Sequence, residues 1–179
     1  LECHGMDVDG GIDTWNKLSA NPDWEKVYVN RARKLFERDK NHACVVMWSL
    51  GNESGVGINH EAMYNYIKSR DKDAVVHYEG AWRVGDNDTW YRNVTDVESY
   101  MYPTPASFEE RLKKNEFNKP LYLCEYVHAM GNSPGGVKEY VEVIRKYDNF
   151  FGACVWEMTD HSVEIVTPDG KKGYTYGGD

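Results

Sequence analysis

Short apolar runs alternate with helical patterns along this chain, and that alternation limits the possible fold more than any other feature of the sequence. The runs are rich in β-branched and aromatic residues and predict strands at 1–6, 45–50, 74–78, 97–100, 121–124 and 151–156. Apolar residues at helical spacing predict helices at 21–39, 59–69, 107–115 and 135–147. Strands that alternate with helices form parallel sheets, so the sequence predicts an α/β fold built from βα repeats.

The segments between these elements carry weaker signals. Ser107 is a good candidate for the N-cap of the third helix, because its hydroxyl can accept a hydrogen bond from the first turn. Residues 81–96 and 157–179 show no sustained periodicity and are expected to be loops.

The length of 179 residues suits one domain with a real core, but it is short for a complete eight-stranded α/β barrel. The chain contains no internal repeat or low-complexity linker, so we expect one domain over residues 1–179. It starts at Leu1 without a Met or a flexible lead-in, as expected for a piece of a longer protein.

Charge and apolar content argue against two classes of partner. The chain has 21 Lys and Arg against 29 Asp and Glu, and a net charge of −8 disfavours nucleic acid, which would require a basic surface. No run of about 18 apolar residues predicts a membrane span, and no charged-then-apolar leader predicts a signal peptide.

The four cysteines fit no zinc-binding spacing. Three of them lie within or beside apolar runs, so we expect buried free thiols and a reducing compartment, the cytoplasm rather than the periplasm. The cysteines are Cys3, Cys44, Cys124 and Cys154.

Polar, titratable or aromatic residues lie at the end of each predicted strand. They are Glu2 with His4, Asn52 with Glu53, His77 with Glu79, Tyr102, Glu125 with His128, and Trp156 with Glu157. Barrel enzymes assemble their active sites from such residues at the carboxyl ends of parallel strands. Ordinary loop composition is the alternative, since strand ends adjoin loops.

Glu53 and Glu125 stand out because each comes directly after an apolar strand. Two carboxylates that face each other across a cleft can divide the work of glycoside hydrolysis between nucleophile and acid. Their carboxyl groups lie about 5–5.5 Å apart in retaining enzymes and about 6.5–9.5 Å apart in inverting ones. A solvated loop carboxylate remains the alternative for Glu53.

Two long motifs carry a family resemblance, WSLGNESG at 48–55 and LCEYVHAMGNS at 123–133. Three shorter ones follow the same order along the chain, ECHGM at 2–6, HYEG at 77–80 and VWEMTDH at 155–161. Together they resemble the β-galactosidases of glycoside hydrolase family 2. The resemblance implies a TIM barrel, of which the six predicted strands match the third to the eighth. The fold expected is therefore an incomplete (β/α)₈ barrel.

The resemblance also implies roles for individual residues. Glu53 would be the acid/base and Glu125 the nucleophile. The residues expected to bind substrate or support the nucleophile are Asn52, Tyr102, His128 and Trp156. A Mg²⁺ ion would be held by Glu2, His4 and Glu53. The other histidines, His42, His60 and His161, are expected to be surface or hydrogen-bonded loop residues.

Two alternatives to a galactosidase remain open from the sequence. One is a related family 2 enzyme that acts on a glucuronide or a mannoside. Another is a carbohydrate-binding piece without activity. An open barrel segment could also pair with a second copy of the chain, because its sheet edges are uncovered.

Overall fold

The computed structural model describes residues 16–83, 86–129, 135–158 and 162–175. Over these ranges the α-helices are α1 (Glu25–Asp39), α2 (Ile58–Arg70), α3 (Pro105–Lys114) and α4 (Val137–Ile144). Short 3₁₀ segments lie at Pro22–Trp24, Glu79–Trp82 and Asp86–Val94. The strands are β1 (Trp48–Ser49), β2 (Val76–His77), β3 (Glu98–Met101), β4 (Leu121–Tyr126), β5 (Phe150–Val155), β6 (Val163–Val166) and β7 (Lys172–Thr175).

The first five strands run parallel in chain order and form a two-stranded and a three-stranded sheet. β1 pairs with β2, and β3 pairs with β4, which in turn pairs with β5. The two groups are joined at Asp96, whose backbone N–H donates to Val76 O at 2.8 Å and whose carboxylate accepts the Val76 N–H at 2.7 Å. A parallel sheet with helices between its strands is the arrangement of a partial α/β barrel, so the predicted fold class is confirmed.

Two apolar clusters fix the helices against the sheet. Tyr28, Ala32 and Phe36 recur every four residues on α1, and this spacing gives the helix one buried face. On β4, alternate residues Leu121 and Leu123 are fully buried against α3 and α4. The first cluster packs α1 and α2 on β1 and β2, and the second packs α3 and α4 on β4.

Local details of the prediction need correction. Thr104, not Ser107, caps α3: its hydroxyl accepts the Ser107 N–H at 3.2 Å, and Pro105 occupies the first turn. The segment 81–96 contains 3₁₀ structure, and β6 and β7 form an antiparallel hairpin where loop was expected. The predicted strand at 1–6 lies outside the described residues.

Two predictions about isolated side chains are wrong. His60 is fully buried within α2, because the first turn of that helix packs against the β1–β2 layer. Cys44 and Cys154 are free thiols but are exposed, and Cys124 is half-buried. His42 is exposed as predicted, whereas Cys3 and His161 lie outside the described residues. Within the described ranges, no helix is long and apolar enough to cross a membrane.

Candidate active site

The predicted site residues that the structure describes lie at the carboxyl ends of β1, β3, β4 and β5. Asn52 and Glu53 follow β1, Tyr102 follows β3 and Trp156 follows β5. Glu125 is the fifth residue of β4, which continues two residues past the predicted strand end at Cys124. Because parallel strands end at the same edge of a sheet, these side chains share one face of the partial barrel.

Tyr102 holds Glu125. Its phenol donates a hydrogen bond to Glu125 Oε2, and its backbone N–H donates to the Glu125 carbonyl at 3.0 Å. The register between β3 and β4 shifts at Tyr100–Met101, and Tyr102 then takes a left-handed conformation with a φ of 51°. These two irregularities place the phenol beside the carboxylate.

His128 and Trp156 complete this side of the site. The His128 ring meets the Tyr102 ring edge-on, with centroids 5.1 Å apart. The Trp156 backbone N–H donates to Tyr126 O at 2.9 Å, and Trp156 O accepts the Ala129 N–H at 2.6 Å. The end of β5 is therefore tied to the segment that carries His128.

Glu53 sits on the other side, in the loop that follows β1. It has a φ of 45°, a left-handed conformation that side chains rarely adopt. Its backbone N–H donates to Glu79 Oε1 at 2.6 Å, and its carboxylate Oε1 accepts from Arg83 Nη1 at 2.9 Å. The second Arg83 nitrogen, Nη2, contacts the sulfur of Met101 at the end of β3.

The carboxylates of Glu125 and Glu53 both affect the pKa of Tyr102. Burial raises the pKa of Tyr102, and the hydrogen bond and charge of Glu125 raise it further. The charge of Glu53 acts on the same phenol in the same direction. Tyr102 is therefore close enough to both acids to sense them, and it stays protonated as a donor to Glu125.

Cys124 precedes the predicted nucleophile in the sequence but has different chemistry. Burial raises the pKa of its thiol to about 12, and the carboxylates of Glu79 and Glu125 act in the same direction. A thiol with so high a pKa is a poor nucleophile at neutral pH. Its sulfur instead contacts the carbonyl oxygen of Tyr100 at 3.3 Å.

Two contributors to this geometry were not assigned from the sequence. Arg83 lies at the end of the 3₁₀ segment Glu79–Trp82, in a stretch expected to be loop, and nothing in its spacing pointed to Glu53. Glu79 was recognised only as a polar residue after a strand. A signal did exist, since an acid directly after β2 falls at the same sheet edge as Glu53.

Of the proposed magnesium ligands, only Glu53 is described; Glu2 and His4 lie outside the described residues. Carboxylate oxygens are the donors that Mg²⁺ prefers, so the side chain of Glu53 has the chemistry of such a ligand. Glu53 Oε1 also forms an ion pair with Arg83 Nη1 at 2.9 Å. No group of three metal-binding side chains occurs among the described residues.

Parallel strands with helices between them, and polar side chains at the carboxyl ends of the strands, are the arrangement of an α/β-barrel domain. The family model described as glycosyl hydrolases family 2, TIM barrel domain, matches residues 1–179, and the chain belongs to that family.

Relatives named β-galactosidase match nearly the whole chain. The protein from Kluyveromyces lactis is 45% identical over 93% of this chain and 17% of its own length. The β-galactosidase large subunit of Latilactobacillus sakei is 40% identical over 100% of this chain and 28% of its own length. This chain therefore spans well under a third of these relatives.

Solved structures with the same fold are more distant in sequence. A β-glucuronidase from an uncultured Clostridium species superposes with a TM-score of 0.58 at 18% identity, over 82% of this chain and 32% of that one. A Bacteroides uniformis β-glucuronidase 2 bound covalently to a cyclophellitol-6-carboxylate aziridine gives 0.59 at 14% identity, over 78% and 22%. At such identities the likeness establishes the fold alone.

Proposed function

We propose that this chain supplies both catalytic carboxylates of a retaining β-galactosidase. The observation that carries the proposal is the Glu125 carboxylate at the end of β4, held by the Tyr102 phenol on the same sheet edge as Glu53. The names of the relatives support galactose as the sugar, since one relative described above is named a β-galactosidase and the other a β-galactosidase large subunit.

The first step joins Glu125 to the sugar. A Glu125 carboxylate oxygen attacks the anomeric carbon, the glycosidic bond breaks, and Glu53 donates its proton to the departing oxygen. The Tyr102 hydrogen bond orients the Glu125 carboxylate by occupying Oε2, which favours attack by the other oxygen, Oε1. This step inverts the anomeric carbon and yields a galactosyl ester.

The second step releases galactose. Glu53, now ionised, takes a proton from water as the water oxygen attacks the anomeric carbon and the ester bond to Glu125 breaks. Two inversions give net retention of the β configuration. Asn52, His128 and Trp156 would bind the sugar. Glu2, His4 and Glu53 would hold a Mg²⁺ ion, which when bound supplies positive charge beside the acid/base.

The test uses the full polypeptide in which this chain occurs, with Glu125→Gln and Glu53→Gln. Glu125→Gln should abolish turnover of aryl and alkyl β-galactosides, since an amide cannot form the ester. Glu53→Gln should chiefly slow substrates with poor leaving groups. Near-normal rates of Glu125→Gln on an aryl galactoside would contradict the proposal.

A panel of aryl glycosides distinguishes a β-galactosidase from a β-glycosidase that acts on another sugar. Faster turnover of a glucuronide or a mannoside than of a galactoside would assign the chain to another β-glycosidase. Galactose binding without turnover of any glycoside, measured by calorimetry beside the rate assay, would indicate a carbohydrate-binding piece.

A further inference from the structure

The loop that carries Glu53 is bent in a way that its own sequence does not favour. Glu53 and Gly55 both have left-handed backbone angles, with φ values of 45° and 67°. Gly55 adopts such an angle without strain, but a glutamate does not. The Glu53 conformation therefore needs support from outside the loop.

That support comes from the end of β2. Glu79 Oε1 accepts the Glu53 N–H at 2.6 Å, and Tyr78 Oη accepts the Ser54 N–H at 3.2 Å. The same Tyr78 hydroxyl donates to Gly55 O. Two side chains thus bind three consecutive residues of the loop.

The close approach of the two segments depends on Gly80. A Cβ at Gly80 would lie 2.6 Å from the Tyr78 ring and 2.7 Å from Gly55 O, closer than atoms can pack. With glycine there, the chain after β2 can run against the loop. Arg83, three residues further on, then reaches the Glu53 carboxylate.

Glu79 is an unusual residue to place under this loop. Its side chain is 1% exposed, and its second oxygen, Oε2, has no hydrogen-bond partner among the described residues. Burial raises the pKa of Glu79, while the N–H of Glu53 lowers it. A buried carboxylate costs folding free energy, and here its contact is the backbone of the proposed proton donor.

We propose that Glu79, assisted by Tyr78, is a positioning residue for proton transfer by Glu53. It acts through the backbone: the accepted N–H bond holds residue 53 in the left-handed conformation that directs its carboxyl group at the leaving oxygen. The inference rests on the proposed function, in which Glu53 is the acid/base.

The test compares Glu79→Leu with Glu79→Gln in the full polypeptide in which this chain occurs. Leucine removes the acceptor, whereas the glutamine oxygen can still accept the Glu53 N–H. For Glu79→Leu, kcat/KM on methyl β-galactoside should fall roughly ten- to a hundredfold. With 2,4-dinitrophenyl β-galactoside, whose leaving group needs no proton, it should change by less than about threefold. Glu79→Gln should restore most of the loss.

A second readout follows the galactosyl ester. Azide attacks the anomeric carbon without a general base, displaces the Glu125 carboxylate and forms galactosyl azide. Azide should therefore accelerate turnover of the dinitrophenyl substrate by Glu79→Leu and leave the unsubstituted protein unchanged. Tyr78→Phe, which removes the hydroxyl that binds Ser54 and Gly55, should show the same pattern in a milder form.

Glu98→Leu is the matched control. Glu98 is also a buried glutamate, but it is the first residue of β3 and lies at the end of the strand away from the candidate active site. Its loss should lower stability without changing the leaving-group dependence. An equal loss with both substrates in Glu79→Leu and Tyr78→Phe would overturn the inference and leave the proposed function standing. If the unsubstituted protein hydrolysed no galactoside, the proposed function would fail, and the inference would fail with it.

Discussion

The Tyr102 phenol interacts with both of the proposed catalytic acids. Its hydroxyl binds Glu125 directly, and the charge of Glu53 adds to the field that raises the pKa of the phenol. A hydrogen bond to a charged group contributes about 1.5–3 kcal/mol. If that bond holds the nucleophile for attack, Tyr102→Phe should lower kcat on an aryl galactoside by roughly ten- to 150-fold.

The control for this prediction is another tyrosine that binds a glutamate. Tyr147 donates to Glu109 at 2.9 Å on the outer helical layer, away from the strand ends. Tyr147→Phe should leave kcat unchanged, and thermal melting should show that both variants fold. A kcat for Tyr102→Phe within about twofold of the parent would mean that the phenol does not orient the nucleophile.

The sequence predicted which residues lie at the candidate site but not the contacts that they make there. Glu53, Glu125, Tyr102 and His128 were selected at the ends of apolar strands, and the structure places them at or beyond the carboxyl ends of β1, β3 and β4. The hydrogen bonds among them were not readable, because they depend on a register shift and on left-handed backbone angles. The spacing of apolar residues predicts neither the register shift nor the left-handed backbone angles.

At the scale of elements, the β1–α2 connection depends on Gly57. Its φ of 178° is an extended conformation that any residue can adopt, so the requirement is space and not backbone strain. A Cβ at Gly57 would lie 2.4 Å from Ser19 O and 2.7 Å from Ala20 N, both backbone atoms. Gly57→Ala should therefore destabilise the protein by about 1–3 kcal/mol, measured by urea unfolding.

Gly135, just before α4, offers a matched substitution. A Cβ there would meet nothing within 4 Å among the described residues. Gly135→Ala should leave the free energy of unfolding unchanged or raise it slightly by restricting the unfolded chain. Equal stability of the two alanine variants would show that the segment around Ser19 can move away from α2.

Element types were predicted better than their ends. Strands β1–β5 and the four described α-helices match predicted ones, because buried faces impose a periodicity. The N-cap of α3 was misplaced by three residues, because Ser107 was chosen by its hydroxyl and the Pro105 that marks the first turn after Thr104 was not weighed. The hairpin of β6 and β7 was missed, because all of β6 is exposed and shows no alternation of burial.

Across the whole molecule, buried titratable groups make stability depend on pH. Burial lowers the pKa of His60 to about 3 and that of His77 to about 4. Both stay neutral in the folded protein while the unfolded chain binds protons below about pH 6.5. The folded state therefore loses stability as the pH falls from 6.5 toward these values. Glu79 and Glu98 act in the opposite sense. Burial raises their pKa values, so their contribution to the stability of the folded protein is lost as the pH rises.

His60 can be isolated from these opposing groups by substitution. Its ring stacks on Tyr78 at 4.1 Å and meets Tyr28 edge-on at 5.3 Å, and its ring nitrogens have no hydrogen-bond partner among the described residues. A phenylalanine can occupy this aromatic site without titrating. Between pH 7 and pH 5, the unfolding free energy of the parent should fall by about 2 kcal/mol more than that of His60→Phe.

Urea unfolding at the two pH values measures this difference directly. His42→Phe is the control, because it makes the same substitution at an exposed position in the turn after α1. The slope between the two pH values decides the matter, since any packing cost of the larger ring is present at both and cancels. Equal slopes for the parent and His60→Phe would show that His60 binds a proton in the folded protein as readily as in the unfolded chain. The charged ring would then stack on Tyr78, whose hydroxyl binds Ser54 and Gly55 of the Glu53 loop.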